Sequence, residues 1–146
     1  LQEKTEEGLK QYELLGMTKN LLEQAKSSFT AKYTEPVMQG FRKYYRMLTG
    51  TECENYQMDA NTRLKVIEGN MPRDIGYLSL GNRDLIGICM RLALVEAMYE
   101  EQKPFLILDD PFVNLDENRT KGAMRFLTEI AKEYQVIYFT CHGSRE

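Results

Sequence analysis

The chain has 146 residues, 42% of them hydrophobic and 28% charged, with a formal net charge of -3. That leaves room for one hydrophobic core in a soluble globular composition, and no apolar stretch nears the roughly 18 residues that cross a bilayer, so no membrane association is expected. So small a charge gives no sign of a nucleic-acid binder, which usually gathers a basic excess on one face. Cys53, Cys89 and Cys141 are odd in number, far apart and outside any C-x-x-C spacing. Neither a disulfide framework nor a zinc site is expected, and a reducing cytoplasm is the expected location. The first residues are polar and helix-prone, without an initiator Met or a charged-then-apolar leader, which raises the expectation of a piece of a longer chain.

From Leu1 to about Tyr33 the sequence is rich in Lys, Glu, Gln and Leu and has no proline, with Leu15, Leu22, Ala25 and Phe29 on a rough three-to-four repeat. This reads as a long helix whose thin apolar stripe suits either a coiled-coil seam or one face of a surface helix. Pro36 suits a helix's first turn, and Val37, Phe41, Tyr44, Tyr45 and Leu48 then share one side. A second helix, or a kinked continuation of the first, is expected there. After Thr49 and Gly50, Glu54–Asp59 and Arg63–Glu68 read as two strands of a hairpin turning at Ala60-Asn61-Thr62,. Gly69, Asn70, Pro72 and Gly76 read as a loop.

Asn82 to about Glu101 is strongly helical and apolar on most sides, the pattern of a buried helix,. Phe105-Leu106-Ile107-Leu108 is a continuous apolar run between Pro104 and two acids, the pattern of a strand covered on both faces,. Asp116 is placed to cap a helix reaching about Tyr134, and Gln135 to Thr140 supplies another β-rich run. The order helix, strand, helix, strand predicts an α/β fold with parallel strands and crossover helices. No internal repeat or low-complexity tract is evident.

Four short motifs follow in order: Leu78-Ser79-Leu80-Gly81, Leu106-Ile107-Leu108-Asp109-Asp110, Asn114-Leu115-Asp116 and His142. By themselves the residues admit plain readings. Ser79 suits a helix N-cap, the two acids suit a surface turn after a strand, Asp116 suits a cap before Glu117, and a lone histidine is often structural. A serine and glycine at a helix start equally suit a phosphate, because unpaired N–H groups and the positive dipole end face outward there. A carboxylate at a strand end suits Mg²⁺. Arg83, Asp84 and Arg91 are expected to serve in capping and salt bridges. Lys32, Arg42, Lys43 and Arg46 suit a solvated helix face as well as DNA phosphates, and are not assigned as a DNA site.

The order and spacing of the four motifs resemble the C-terminal lobe of the ATP-binding-cassette superfamily. The long preceding helix, the hairpin and the wording Leu-Ser-x-Gly-x-Arg-Asp resemble its SMC and DNA-repair branch more than its transporters, and the Asp109-Asp110 and His142 stretches are similar to SMC-like ATPases of the YhaN type. The resemblance covers roughly Pro36 to the end. It implies that residues 1–34 end a coiled-coil stalk and that 35–146 form the C-terminal lobe of a head. It further implies that Ser79 and Gly81 close over the γ-phosphate of ATP held by an opposite head, and that Asp109 is the metal-side acid. Asp110 would orient or deprotonate the attacking water, Asn114 and Asp116 would line the interface between heads, and His142 would be the switch histidine. Most relatives carry Glu where Asp110 stands.

No G-x-x-x-x-G-K-[ST] loop occurs in the sequence, so the phosphate grip would come from an N-terminal Walker A lobe. The resemblance implies an ATPase using ATP and Mg²⁺, complete only with that lobe and a second head, with DNA as a possible partner and the isolated piece inactive. The alternative is a non-catalytic module in which ATP only clamps two heads.

Overall fold

The computed structural model describes residues 2–59, 63–99 and 101–141, with the side chains of 2–6 excepted. The chain divides into two units, Leu1–Tyr33 and Thr34–Glu146. Helix α1 (Gln2–Thr49) supplies the whole described backbone of the first unit and the opening element of the second. It runs through Pro36, so of the two readings for that position a separate second helix gives way to a continuation of the first. Proline removes a single N–H donor from the ladder. The buried side chains Val37, Met38, Phe41 and Tyr44 that follow it hold the turn in place.

Within the first unit, Leu15, Leu22 and Phe29 recur every seven residues and are 68%, 66% and 51% exposed. Phe29 stacks obliquely on Tyr33, with ring centroids 4.6 Å apart.

In the second unit β1 (Tyr56–Met58) and β2 (Leu64–Glu68) form the expected antiparallel hairpin, with Tyr56 opposite Val66 and Met58 opposite Leu64. The turn expected at 60–62 lies outside the described residues. A third strand, β3 (Met71–Asp74), stands where a loop was expected. Gly69 and Asn70 both have positive φ, 55° and 67°, and Glu68 pairs with Met71. This two-residue turn matches strand twist, and an edge position tolerates Pro72, which has no N–H to pair. Lys65 Nζ reaches Asp74 Oδ2 at 3.0 Å, and a 3₁₀ turn (Ile75–Tyr77), capped by Asp74, leads into α2 (Leu80–Met98). The Gly76 N–H and then Lys65 hold the Asp74 carboxyl below its usual range.

Strand β4 (Leu106–Asp109), helix α3 (Glu117–Ile130) and strand β5 (Val136–Phe139) complete the unit. The strands are parallel and in register from Leu106 opposite Val136 to Asp109 opposite Phe139. Parallel neighbours need a crossover, and α3 provides it. The helix stops at Ile130, four residues short of the expected end, and a tight turn carries the chain on to buried Tyr134. The core joins Phe41, Tyr44 and Leu48 of α1, Leu85, Ile86, Cys89 and Leu92 of α2, Phe112, and Ala123, Phe126 and Ile130 of α3. Tyr44 meets Phe126 edge-on at 6.3 Å and Phe41 meets Tyr56 edge-on at 5.6 Å, the preferred geometry of ring quadrupoles.

The parallel strands depart from expectation in one respect. Within this chain they are not covered on both faces, since Ile107 and Phe139 stay 58% and 56% exposed. The apolar run that predicted two-sided burial has cover for only part of its side chains.

Phe126 is fully buried against Tyr44. Phe126→Ala is expected to lower unfolding free energy by about 3–5 kcal/mol in a denaturant titration, through lost transfer energy and a cavity. Tyr77→Ala, at a side chain 84% exposed, is expected to change it by less than about 0.5 kcal/mol.

Candidate functional site

Ser79 and Gly81 sit where the 3₁₀ turn becomes α2. Ser79 is the N-cap, with its hydroxyl accepting a long bond from the Asn82 N–H at 3.4 Å. Among the described residues no backbone acceptor takes the N–H of Leu80 or Gly81, as the first turn of any helix leaves donors unused. Gly81 is buried, and a Cβ placed on it would stand 2.7 Å from the Asn114 carbonyl oxygen. The missing side chain therefore admits the neighbouring loop of the same chain, a packing requirement that exists without any phosphate.

Asp109 ends β4 with its side chain exposed. Asp110 follows with φ of +39°, in the left-handed region that carries a steric penalty for any side chain. Its N–H donates to the Phe139 carbonyl at 2.8 Å, its carbonyl accepts from Val113 at 3.3 Å, and Cys141 Sγ donates to its Oδ2 at 3.3 Å. The two parallel strands thus end side by side, with the acids after one and Thr140-Cys141 after the other. Open α/β sheets bind ligands at this edge. His142 lies outside the described residues.

Phe112, 1% exposed, anchors the loop between β4 and α3. Asp116 caps α3 by accepting from the Arg119 N–H at 2.9 Å. Asn114 Nδ2 donates to Asp84 Oδ2 at 2.7 Å, and Arg119 Nη1 donates to Asn82 Oδ1 at 2.6 Å. The structure thus joins the Ser79–Gly81 turn to the Asn114–Asp116 loop. A groove of about 620 Å³, lined by Arg83, Arg91, Ile107, Asp109 and Asp110 among others, separates α2 from β4.

Asp84 departs from the capping or salt-bridge part expected of it, because its carboxylate is taken by the Asn114 amide. Neither Arg83 nor Arg91 forms an ion pair among the described residues. Asn82 and Arg119 were not singled out from the sequence, since residues 37 apart that meet through side chains share no local periodicity. The four basic residues of α1 considered for DNA have partners within the chain: Arg42 with Glu35, Arg46 with Glu52 and Lys32 over the Tyr33 ring nearby, and Lys43 with Glu96 of α2. Burial pushes the thiols of Cys89 and Cys53 upward, whereas Cys141 is exposed beside Asp110.

Among the described residues no group of three acids, cysteines or histidines forms a metal cage. One exposed carboxylate at a strand end nevertheless fits Mg²⁺, which commonly takes one or two protein carboxylates and completes its shell with water and phosphate oxygens. Among the described residues no helix is long and apolar enough to cross a membrane.

A two-stranded parallel unit with a crossover helix, preceded by the buried helix α2 and the long helix α1, is an α/β lobe with known counterparts. More narrowly, the fold is that of SMC-like heads. An SMC head domain from Thermotoga maritima aligns with a TM-score of 0.56 at 23% identity, covering 76% of this chain and 39% of that one. A solved SMC ATPase, from work on ATP-driven dimerisation and DNA-stimulated activation, aligns at 0.62 with 20% identity over 82% of this chain and 75% of that one. In sequence, the chain is 34% identical over 70 residues to the DNA double-strand break repair Rad50 ATPase of Archaeoglobus fulgidus, and 35% identical over 66 residues to the uncharacterized protein YhaN of Bacillus subtilis. These stretches are 48% and 44% of this chain but only 8% and 7% of those proteins. No protein-family model matches the sequence.

The crowding at Gly81 has a measurable consequence in the absence of nucleotide. Gly81→Ala is expected to destabilise the protein by about 1–3 kcal/mol in thermal or denaturant unfolding, because an added methyl overpacks a backbone oxygen that cannot rotate away. Unchanged stability would mean that the loop yields freely.

Proposed function

We propose that the chain is the C-terminal part of an SMC-like ATPase that hydrolyses ATP between paired heads, in DNA maintenance, repair or defence. The observation that carries this reading is the acid pair at the end of parallel strands. Asp109 is open to solvent, and Asp110 is held in a left-handed conformation by bonds from both sides. Strain of this kind persists only where the surroundings over-determine it, and it clusters at functional sites.

In this reading Asp109 would hold Mg²⁺, whose part is to neutralise charge on the transferring phosphate. Asp110 orients the attacking water and accepts its proton. Its side chain is one methylene shorter than the Glu usual in the family, and the bond from Cys141 fixes where that shorter carboxylate points. Ser79 and the free N–H groups of the first turn of α2 receive the γ-phosphate of the opposite head. His142 follows Cys141 and would serve as the switch.

Two open surfaces support the partners. Phe105, Ile107, Ile137 and Phe139 are 39–60% exposed along the parallel strands, an apolar face suited to the N-terminal Walker A lobe. The seven-residue recurrence of Leu15, Leu22 and Phe29 suits the seam of a coiled-coil stalk. ATP-driven dimerisation and DNA-stimulated activation of the similar SMC ATPase, and the repair role in the name of the similar Rad50, support paired heads and a DNA setting.

In a head carrying both lobes, Asp110→Asn is expected to lower kcat by about 10²–10⁴-fold while leaving ATP binding intact, since a general base acts in the transition state. Steady-state ATPase assays with a nucleotide-binding titration check this. Equal turnover in variant and wild type would remove Asp110 from the mechanism and leave a clamp that does not turn over.

Action across the interface has its own test. Ser79→Arg heads and Asp109→Ala heads are each expected to be inactive, and mixing them should return part of the activity. One composite site then carries both lesions and the other carries neither. No recovery at any ratio, with mixed pairs shown to form, would refute the assignment of Ser79 to the opposite site.

A further inference from the structure

The start of α2 is tied at three points to the loop between β4 and α3 and to the first turn of α3. Asn114 Nδ2 donates to Asp84 Oδ2 at 2.7 Å, Arg119 Nη1 donates to Asn82 Oδ1 at 2.6 Å, and the Asn114 carbonyl occupies the space of a Cβ at Gly81. The far end of the loop is closed by the Asp116 cap on the Arg119 N–H and a 3.5 Å ion pair between the same two side chains. Its near end is anchored by buried Phe112.

This arrangement turns the Asn114 side chain back into its own chain. Its amide is bonded to Asp84 and its carbonyl abuts Gly81, while the neighbouring Val113 is 50% exposed and Asp116 is exposed. A carboxylate acceptor is well chosen for such a tie, because a hydrogen bond to an ionised group is about twice as strong as a neutral one. Asp84 is half-buried and Asn114 exposed, so the bond forms at the surface and rests on its short length and its charged acceptor.

We propose that Asp84 is a positioning residue: it locks the Asn114 loop to the signature turn, so that both meet a second head as one preformed surface. Asn114 then acts on the interface through Asp84 and not by contacting the partner with its own side chain. The part that concerns a second head rests on the reading of paired heads given above. The lock itself is a property of this chain. Preformed surfaces bind without the entropy loss of ordering a loop at the moment of contact.

The experiment reverses the polarity of the bond in the two-lobed protein. Asn114→Asp sets two carboxylates against each other and is expected to lower kcat about tenfold, the order expected for losing a charge-assisted bond, with KM for ATP little changed. Adding Asp84→Asn to it restores a donor facing a carboxylate, and kcat should return to within about threefold of wild type. A parallel readout needs no turnover. In the nucleotide-free protein, amide hydrogen exchange of residues 112–116 should quicken in Asp84→Ala and in Asn114→Asp, and slow again in the reversed pair.

Unchanged exchange in Asp84→Ala would overturn the lock. Restored exchange without restored kcat, in a protein whose wild type turns over, would overturn the positioning role and leave the paired-head reading standing. A wild type with no turnover at all would sink the paired-head reading and with it the role toward a second head, and the exchange arm would still decide the lock.

Discussion

The Asn114 carbonyl oxygen lies 2.7 Å from where residue 81 would carry a Cβ, so α2 and the loop after β4 can take their places only because that residue is glycine. A backbone oxygen has no rotamer with which to retreat, and the constraint therefore falls on sequence. Once the two backbones are this close, Asn114 can reach Asp84 and Arg119 can reach Asn82. The helix leaves this contact with Leu85, Ile86, Cys89 and Leu92 buried in the core that also takes Tyr44 of α1 and Phe126 of α3. One close approach thus couples the candidate site to the packing of the lobe.

The opposite end of the site is set by strand geometry. Parallel register brings Asp109 level with Phe139, and the Asp110 N–H bonds to the Phe139 carbonyl. That bond continues the ladder one residue past β4 while the chain turns into a left-handed conformation. The acid pair is thereby divided into two environments. Asp109 faces solvent, and Asp110 is gripped by backbone on one side and by the Cys141 thiol on the other. Two carboxylates adjacent in sequence acquire different surroundings because their backbones differ.

Apolar side chains divide sharply into buried and exposed sets. Aromatic and aliphatic residues of α1, α2 and α3 are buried together, while Ile107 and Phe139 on the parallel strands and Leu15 and Leu22 on the long helix remain largely exposed. Isolated exposed apolar residues are ordinary on any protein, but residues that recur along strands or at seven-residue spacing have the form of contact surfaces. The two surfaces lie in different units of the chain, which accords with separate roles.

Local signals determined a good deal. The apolar run before Asp109, the cap at Asp116, the periodicity after Asn82 and the β-rich run at Val136 each specify an element through neighbours a few residues away, and the α/β architecture follows from their order. Ser79 and Asp116 are recognisable as caps for the same reason. The Gly69-Asn70 turn was also present in sequence, but Pro72 disguised β3, because a proline argues against a strand until the strand is known to lie at an edge,. Pro36 left a new helix and a continuation both open, and the continuation holds, since one missing donor is outweighed by burial of the residues that follow it. Only the tertiary structure decided which groups meet. Asp84 with Asn114, Asn82 with Arg119 and Cys141 with Asp110 lie 30, 37 and 31 residues apart. Single polar contacts between such positions leave no periodic trace, because they depend on how whole elements dock and not on the pattern within either one.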